Sequence, residues 1–122
     1  MMLQEIRDEN VASLVERTIR QGLDEGAEFI HFELKQHFFL IRLRWMRESA
    51  RTTLLLSELR WRGSEVLEYL KATSGMNSSI SRVPQDGLFA FMGRGQVLEL
   101  RARCRPYMTE ERVILSLHKD VP

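Results

Sequence analysis

The chain has 122 residues, which suffices for one compact domain and is too short for two ordinary ones. A hydrophobic fraction of 43% and a charged fraction of 29% are typical of a folded globular protein and exclude a disordered tail. The formal net charge is only +1, although 15 of the 18 basic residues are arginine. We therefore expect a single domain over residues 1–122, with its core between residues 10 and 119.

The first predicted element is an amphipathic helix over residues 10–23, because its apolar residues recur at helical spacing. Its first residue, an asparagine, is a suitable N-cap, and Gly26 is a suitable left-handed end. A half-buried strand is predicted next, over residues 29–34, where apolar residues alternate with His31 and Glu33.

A second strand is predicted from Phe38 to Met46, since aromatic and β-branched residues are frequent there. Strand alternation would place Arg42 and Arg44 together on the face opposite the core. A polar loop over residues 47–51 then leads to a third strand from Thr52 to Ser57.

A second helix is predicted to begin at Gly63 and to end at Gly75. Residues 74–87 are rich in glycine, asparagine, serine and proline, which is typical of a loop, and Pro84 and Gly87 would bracket a tight turn.

Three further strands are predicted over residues 88–92, 96–103 and 112–117, with a glycine-containing hairpin between the first two. The order α-β-β-β-α-β-β-β predicts an α+β domain whose antiparallel sheet carries both helices against it. The predicted buried core comprises Ile30, Phe32, Phe39, Ile41, Leu43, Leu98, Leu100, Val113 and Leu115.

The sequence contains no recognisable catalytic motif. The phosphate-binding pattern G-x-x-x-x-G-K-[ST] is absent, as are a nucleophile elbow and a zinc-protease motif. One cysteine, Cys104, and three histidines do not have the spacing of a zinc site. We therefore expect no enzyme activity, no cofactor and no metal.

The expected location is the cytoplasm, without insertion into a membrane. No apolar run approaches the roughly 20 residues that span a bilayer. The first ten residues are polar and lack the apolar stretch of a signal peptide.

Several short segments, taken in order, carry a family resemblance. The matching residues are Arg82, Pro84, Gln85, Asp86 and Gly87 in an R-x-P-Q-D-G pattern, Arg101 in the next strand, and Pro106, Glu111 and Arg112. Upstream, residues 26–33 are similar to an A-S-D-I-H-I-E segment, and residues 71–76 to K-x-x-A-G-L. Together they resemble the PAS-like domain that precedes the motor domain in the ATPases of type II secretion and type IV pili.

The resemblance implies a non-catalytic regulatory or assembly domain that contacts the motor domain or its ring subunits, with homo-oligomerisation as a further option. It also implies that strand arginines face nucleotide phosphates at that interface. The candidate interface or phosphate-facing residues are Arg101, Arg42, Arg44, Arg82 and Arg112, with Pro84, Gln85, Asp86 and Gly87 as the motif turn.

The sequence departs from the family pattern at several positions. The family's Ser-Asp pair is Glu28-Phe29 here, its Asp-Gly hairpin is Met46-Arg47, and the arginine after P-Q-D-G is Leu88. The resemblance therefore leaves open whether any nucleotide contact is retained.

Two other functions fit the residues. A stand-alone PAS-like sensor or adaptor would need an apolar pocket with a few converging polar groups. Nucleic-acid binding would use the strand arginines Arg42, Arg44, Arg101, Arg103 and Arg105. The near-neutral net charge counts against it, because affinity for a phosphate backbone comes largely from positive charge.

Overall fold

The computed structural model describes residues 10–47, 50–93 and 95–117. Five positions of the domain core predicted over residues 10–119 lie outside these described ranges, namely 48, 49, 94, 118 and 119. The elements are α1 (Val11–Asp24), β1 (Phe29–Leu34), β2 (Phe38–Trp45), β3 (Arg51–Leu59), α2 (Trp61–Thr73), β4 (Gln85–Gly93), β5 (Gln96–Tyr107) and β6 (Glu110–Ser116). This order confirms the predicted α+β fold.

The six strands form one antiparallel sheet in the order β3-β2-β1-β6-β5-β4. Both helices contribute buried apolar residues to a single core cluster with one face of the sheet. We call the opposite face of the sheet, which neither of the two described helices covers, the open face. Because side chains alternate along each strand, even-numbered residues of β4 and β6 and odd-numbered residues of β1 and β5 lie on the open face.

Helix α1 begins and ends as its sequence predicts. The Asn10 side chain accepts a hydrogen bond of 2.8 Å from the Ser13 backbone N–H, which satisfies one of the free donors of the first turn. Gly26 follows the helix with φ of 74°, a backbone conformation that glycine adopts without steric cost.

The predicted start of the second helix at Gly63 is wrong, since α2 begins two residues earlier, at Trp61. The residue before it, Arg60, makes no side-chain cap, so the sequence carries no N-cap signal there. Gly63 instead allows close packing, because a Cβ at this position would lie 2.6 Å from the Phe39 ring.

The prediction of a half-buried β1 is also wrong. Ile30 and Phe32 lie in the core as expected, but His31 and Glu33 on the open face are only 8% and 6% exposed. Since β1 lies between β2 and β6, long side chains of neighbouring strands such as Arg42 cover its polar residues.

The predicted core is confirmed except at one position. Eight of its nine residues are buried, whereas Leu98 is partly buried and packs against the core from the hairpin end of β5.

The strands of the second half are longer than predicted, and this removes the expected turn. β4 begins at Gln85, so Asp86 and Gly87 pair with Arg103 and Ala102 of β5. The P-Q-D-G segment is therefore a strand entry, not a tight turn.

Candidate functional site

The open face of the sheet carries most of the arginines that the sequence singles out. Six of them lie there on three strands, namely Arg42 and Arg44 on β2, Arg101, Arg103 and Arg105 on β5, and Arg112 on β6. Arg42 and Arg44 are separated from β5 by β1 and β6. Arg82 lies apart from the face, in the exposed loop before β4, with φ of 66°. Arg101 and Arg112 thus lie on neighbouring strands, but Arg112 is opposite Arg105 and Arg101 is opposite Ser116. Arg82 lies outside the group.

A shallow cleft of about 530 Å³ lies on this face between β4 and β5, and we call it the basic groove. It is lined by Asp86, Gly87, Leu88, Arg101, Arg103 and Arg105. Three residues of the family pattern, two from the P-Q-D-G segment and the strand arginine, therefore share one site. Arg103 and Arg105 were predicted only for nucleic-acid binding, but strand alternation places them beside Arg101.

The Arg105 side chain on β5 binds the first residues of β4, Gln85 and Asp86. Its guanidinium donates hydrogen bonds to the carbonyl oxygens of Gln85 and Cys104 at 3.2 and 2.9 Å, and to Asp86 Oδ1 at 3.0 Å. One arm of the fork is thus fixed by backbone carbonyls, and Asp86 is the internal counter-ion of the basic groove.

The β2 arginines have different surroundings. Arg42 donates a hydrogen bond of 3.3 Å to the buried Glu33 carboxylate. Burial of this carboxylate raises its pKa, but contact with His31 and the positive charges of Arg42 and Lys35 outweigh burial and lower the pKa of Glu33 from 4.5 to about 2. Glu33 is therefore charged at neutral pH. Arg42 stabilises this buried carboxylate, so its guanidinium is less available to bind a partner protein. The Arg44 Nε is buried without a hydrogen-bond partner among the described residues.

The close contact of Gly87 with the end of α2 explains why the P-Q-D-G segment requires a glycine at this position. The Ser74 carbonyl oxygen at the end of α2 accepts a hydrogen bond of 3.2 Å from the Leu88 N–H. A Cβ on Gly87 would clash with this same carbonyl group. The glycine thus lets the end of α2 dock on the edge of β4 beside the basic groove.

We expect Gly87→Ala to lower the free energy of unfolding by about 1–3 kcal/mol, because backbone atoms must move to admit the methyl group. Urea denaturation followed by circular dichroism measures this change. Asp86→Ala is the matched control, since an exposed ion pair contributes about 0–1 kcal/mol. Equal stability of Gly87→Ala and the parent chain would contradict this packing.

A second polar cluster lies on the helix side of the sheet. Lys71 of α2 donates hydrogen bonds to Glu111 Oε2 at 2.8 Å and to the Ile80 carbonyl at 3.1 Å. The Cys104 thiol contacts the same Glu111 oxygen at 3.3 Å, and burial together with this carboxylate raises the pKa of Cys104 to about 12. Glu111 therefore points to the helices, whereas Arg101 lies on the open face opposite Ser116, so the two are not cross-strand partners.

The described part of the chain contains no group of three or more His, Cys, Asp or Glu residues that could hold a metal ion. In residues 10–47, 50–93 and 95–117, no helix has both the length and the apolar character to cross a bilayer.

Comparison with known proteins gives a consistent result. A family model described as Type II/IV secretion system protein matches residues 4–121. The chain is 27% identical over 113 residues to Type II secretion system protein E of Pectobacterium carotovorum subsp. carotovorum, covering 90% of the chain and 22% of that protein. The corresponding protein of Aeromonas hydrophila is 28% identical over 113 residues, covering 90% and 21%. Type II secretion system ATPase E of Vibrio cholerae is 26% identical over 119 residues, covering 95% and 22%. The chain therefore spans about a fifth of the length of these relatives.

Proposed function

The chain belongs to the Type II/IV secretion system protein family, and from this premise we propose that it is a non-catalytic assembly domain of a type II secretion or type IV pilus ATPase. In this proposal, the PAS-like domain contacts the motor domain or neighbouring subunits and does not hydrolyse ATP itself. An ATP-driven motor works where ATP is available, so the proposal includes a cytoplasmic location.

The basic groove is the observation that carries the proposal. It combines two residues of the P-Q-D-G segment with the strand arginine Arg101 on one exposed surface. An arginine fork engages a carboxylate or a phosphate through two parallel hydrogen bonds, so a groove with three arginines fits an anionic surface of a partner. Among the described residues that line the groove, the three arginines outnumber the single carboxylate, Asp86, which forms an ion pair with Arg105.

The alternative of a small-molecule sensor has weaker support. The cleft between α1 and β3, lined by Leu14, Ile41 and Leu54–Leu56 together with polar residues of α1, has a volume of about 160 Å³. Typical ligand pockets are mostly apolar and have about 300–1,000 Å³, so this cleft is small for a sensory ligand. The basic groove is large enough, but charged residues form most of its lining. The assembly function therefore remains the better proposal.

Binding of the purified chain to the motor domain of a type II secretion protein E tests the proposal. We expect Arg101→Ala to weaken this binding by about fivefold or more, because arginines at the centre of an interface often contribute more than 1 kcal/mol. The free energy of unfolding of the Arg101→Ala variant should differ from that of the parent chain by no more than about 0.5 kcal/mol. Surface plasmon resonance and thermal melting measure the two quantities.

Arg20→Ala is the matched control, since Arg20 is an exposed arginine of α1, on the helix side of the sheet. Arg42→Ala is a poor probe, because it would remove a partner of the buried Glu33. Unchanged motor binding by Arg101→Ala would remove the functional assignment of the basic groove.

A further inference from the structure

We propose that the open face of the β4–β5 hairpin binds an acidic, amphipathic segment of a partner protein. Carboxylates of this segment would enter the basic groove while its apolar side chains cover aliphatic residues beside it. The inference rests on the proposed function, because it specifies the chemistry of the surface that this domain would contact.

Three large aliphatic side chains lie exposed beside the basic groove, and we call them the aliphatic strip. Leu88 and Met92 lie on the open face of β4, and Val97 is the cross-strand partner of Met92 on β5. Their exposed fractions are 54%, 62% and 58%. Single exposed apolar residues are ordinary, but several on one continuous face indicate a binding surface.

Leu88 joins the aliphatic strip to the basic groove. It lines the groove directly and lies opposite Arg101 in the pairing of β4 with β5. The two surfaces therefore form one patch, basic at the strand-entry end of β4 and aliphatic toward the hairpin end, with Glu99 between Arg101 and Val97 on β5. A partner that covers both must carry acidic and apolar side chains along one segment.

A second copy of this chain fits the patch poorly. A two-fold contact through this face would place the groove arginines of both copies in one interface, where like charges repel. The exposed edge of β4 is also partly covered, because the Ser74 carbonyl already accepts the Leu88 N–H.

A single-stranded nucleic acid is likewise a poorer occupant. Such ligands stack their bases on aromatic side chains, whereas the strip is aliphatic. The net charge of +1 provides little general attraction for a phosphate backbone.

Fluorescence anisotropy with a designed helical peptide tests the inference. The labelled probe has glutamates on one helix face and leucines on the other, and a second probe has serine in place of every leucine. We expect the first probe to bind at least about tenfold more tightly than the second, which corresponds to about 1.4 kcal/mol of buried apolar surface. Leu88→Ser should lower the affinity of the chain for the first probe by about the same factor.

Leu54→Ser is the matched control, because Leu54 is 52% exposed and lies on β3, at the opposite edge of the sheet. Its affinity for the first probe should equal that of the parent chain. Equal binding of the two peptides, equal losses in the Leu88 and Leu54 variants, or tighter binding of a single-stranded DNA oligomer would each overturn the inference. Motor binding that depends on Arg101 but not on Leu88 would leave the proposed function intact while rejecting this inference.

Discussion

Lys71→Met should lower the free energy of unfolding by about 3–5 kcal/mol, one of the two largest single effects expected in this chain. The Lys71 side chain is 4% exposed, and its ammonium group lies 2.8 Å from Glu111 Oε2. Removing the ammonium leaves the largely buried Glu111 carboxylate without its cation and frees the Ile80 carbonyl. Urea denaturation monitored by tryptophan fluorescence measures the loss.

The double variant Lys71→Met with Glu111→Gln shows how much of the lost stability comes from the unpaired Glu111 charge and how much from the loss of the ion pair itself. Since the neutral amide needs no counter-ion, the double variant should be more stable than Lys71→Met alone. A double variant that is as unstable as the sum of the single variants would contradict the assignment of this ion pair.

Ile41→Ala should lower the free energy of unfolding by about 2–5 kcal/mol. Ile41 lies on β2 at the centre of the core and is 1% exposed, so that truncation removes buried apolar surface and leaves a cavity. Leu54→Ala is a suitable control. It removes the same number of carbon atoms, but at a half-exposed position on the edge strand, where no enclosed cavity forms. A stability change of Ile41→Ala that is no larger than that of the control would show that the predicted strand register is wrong.

Periodicity explains why the sequence predicts most of the fold. Alternation in β1, β2 and β5 assigns Ile30, Ile41 and Leu100 to the core and Arg101 to the opposite face, because neighbouring residues of a strand point to opposite faces. The same rule, applied to β5 alone, places the three groove arginines together on one face.

Interactions between distant elements could not be predicted in this way. Lys71 and Glu111 are 40 residues apart and belong to a helix and a strand whose relative position no local pattern specifies. The carbonyl of Ser74 gives Gly87 its role, although proline and glycine around it are typical of a turn. Local propensity therefore predicted a turn where tertiary contact with α2 extends the strand.

The ATPase rate of a type II secretion protein E motor domain, measured while this chain is added in increasing amounts, tests the central claim most directly. The proposed assembly function predicts that the chain alone hydrolyses no ATP, and that its addition changes both the rate and the oligomeric mass of the motor domain. It also predicts that Arg101→Ala reduces this response while Arg20→Ala retains it. ATP turnover by the chain alone, or a motor rate and mass that stay constant at every concentration, would contradict the account.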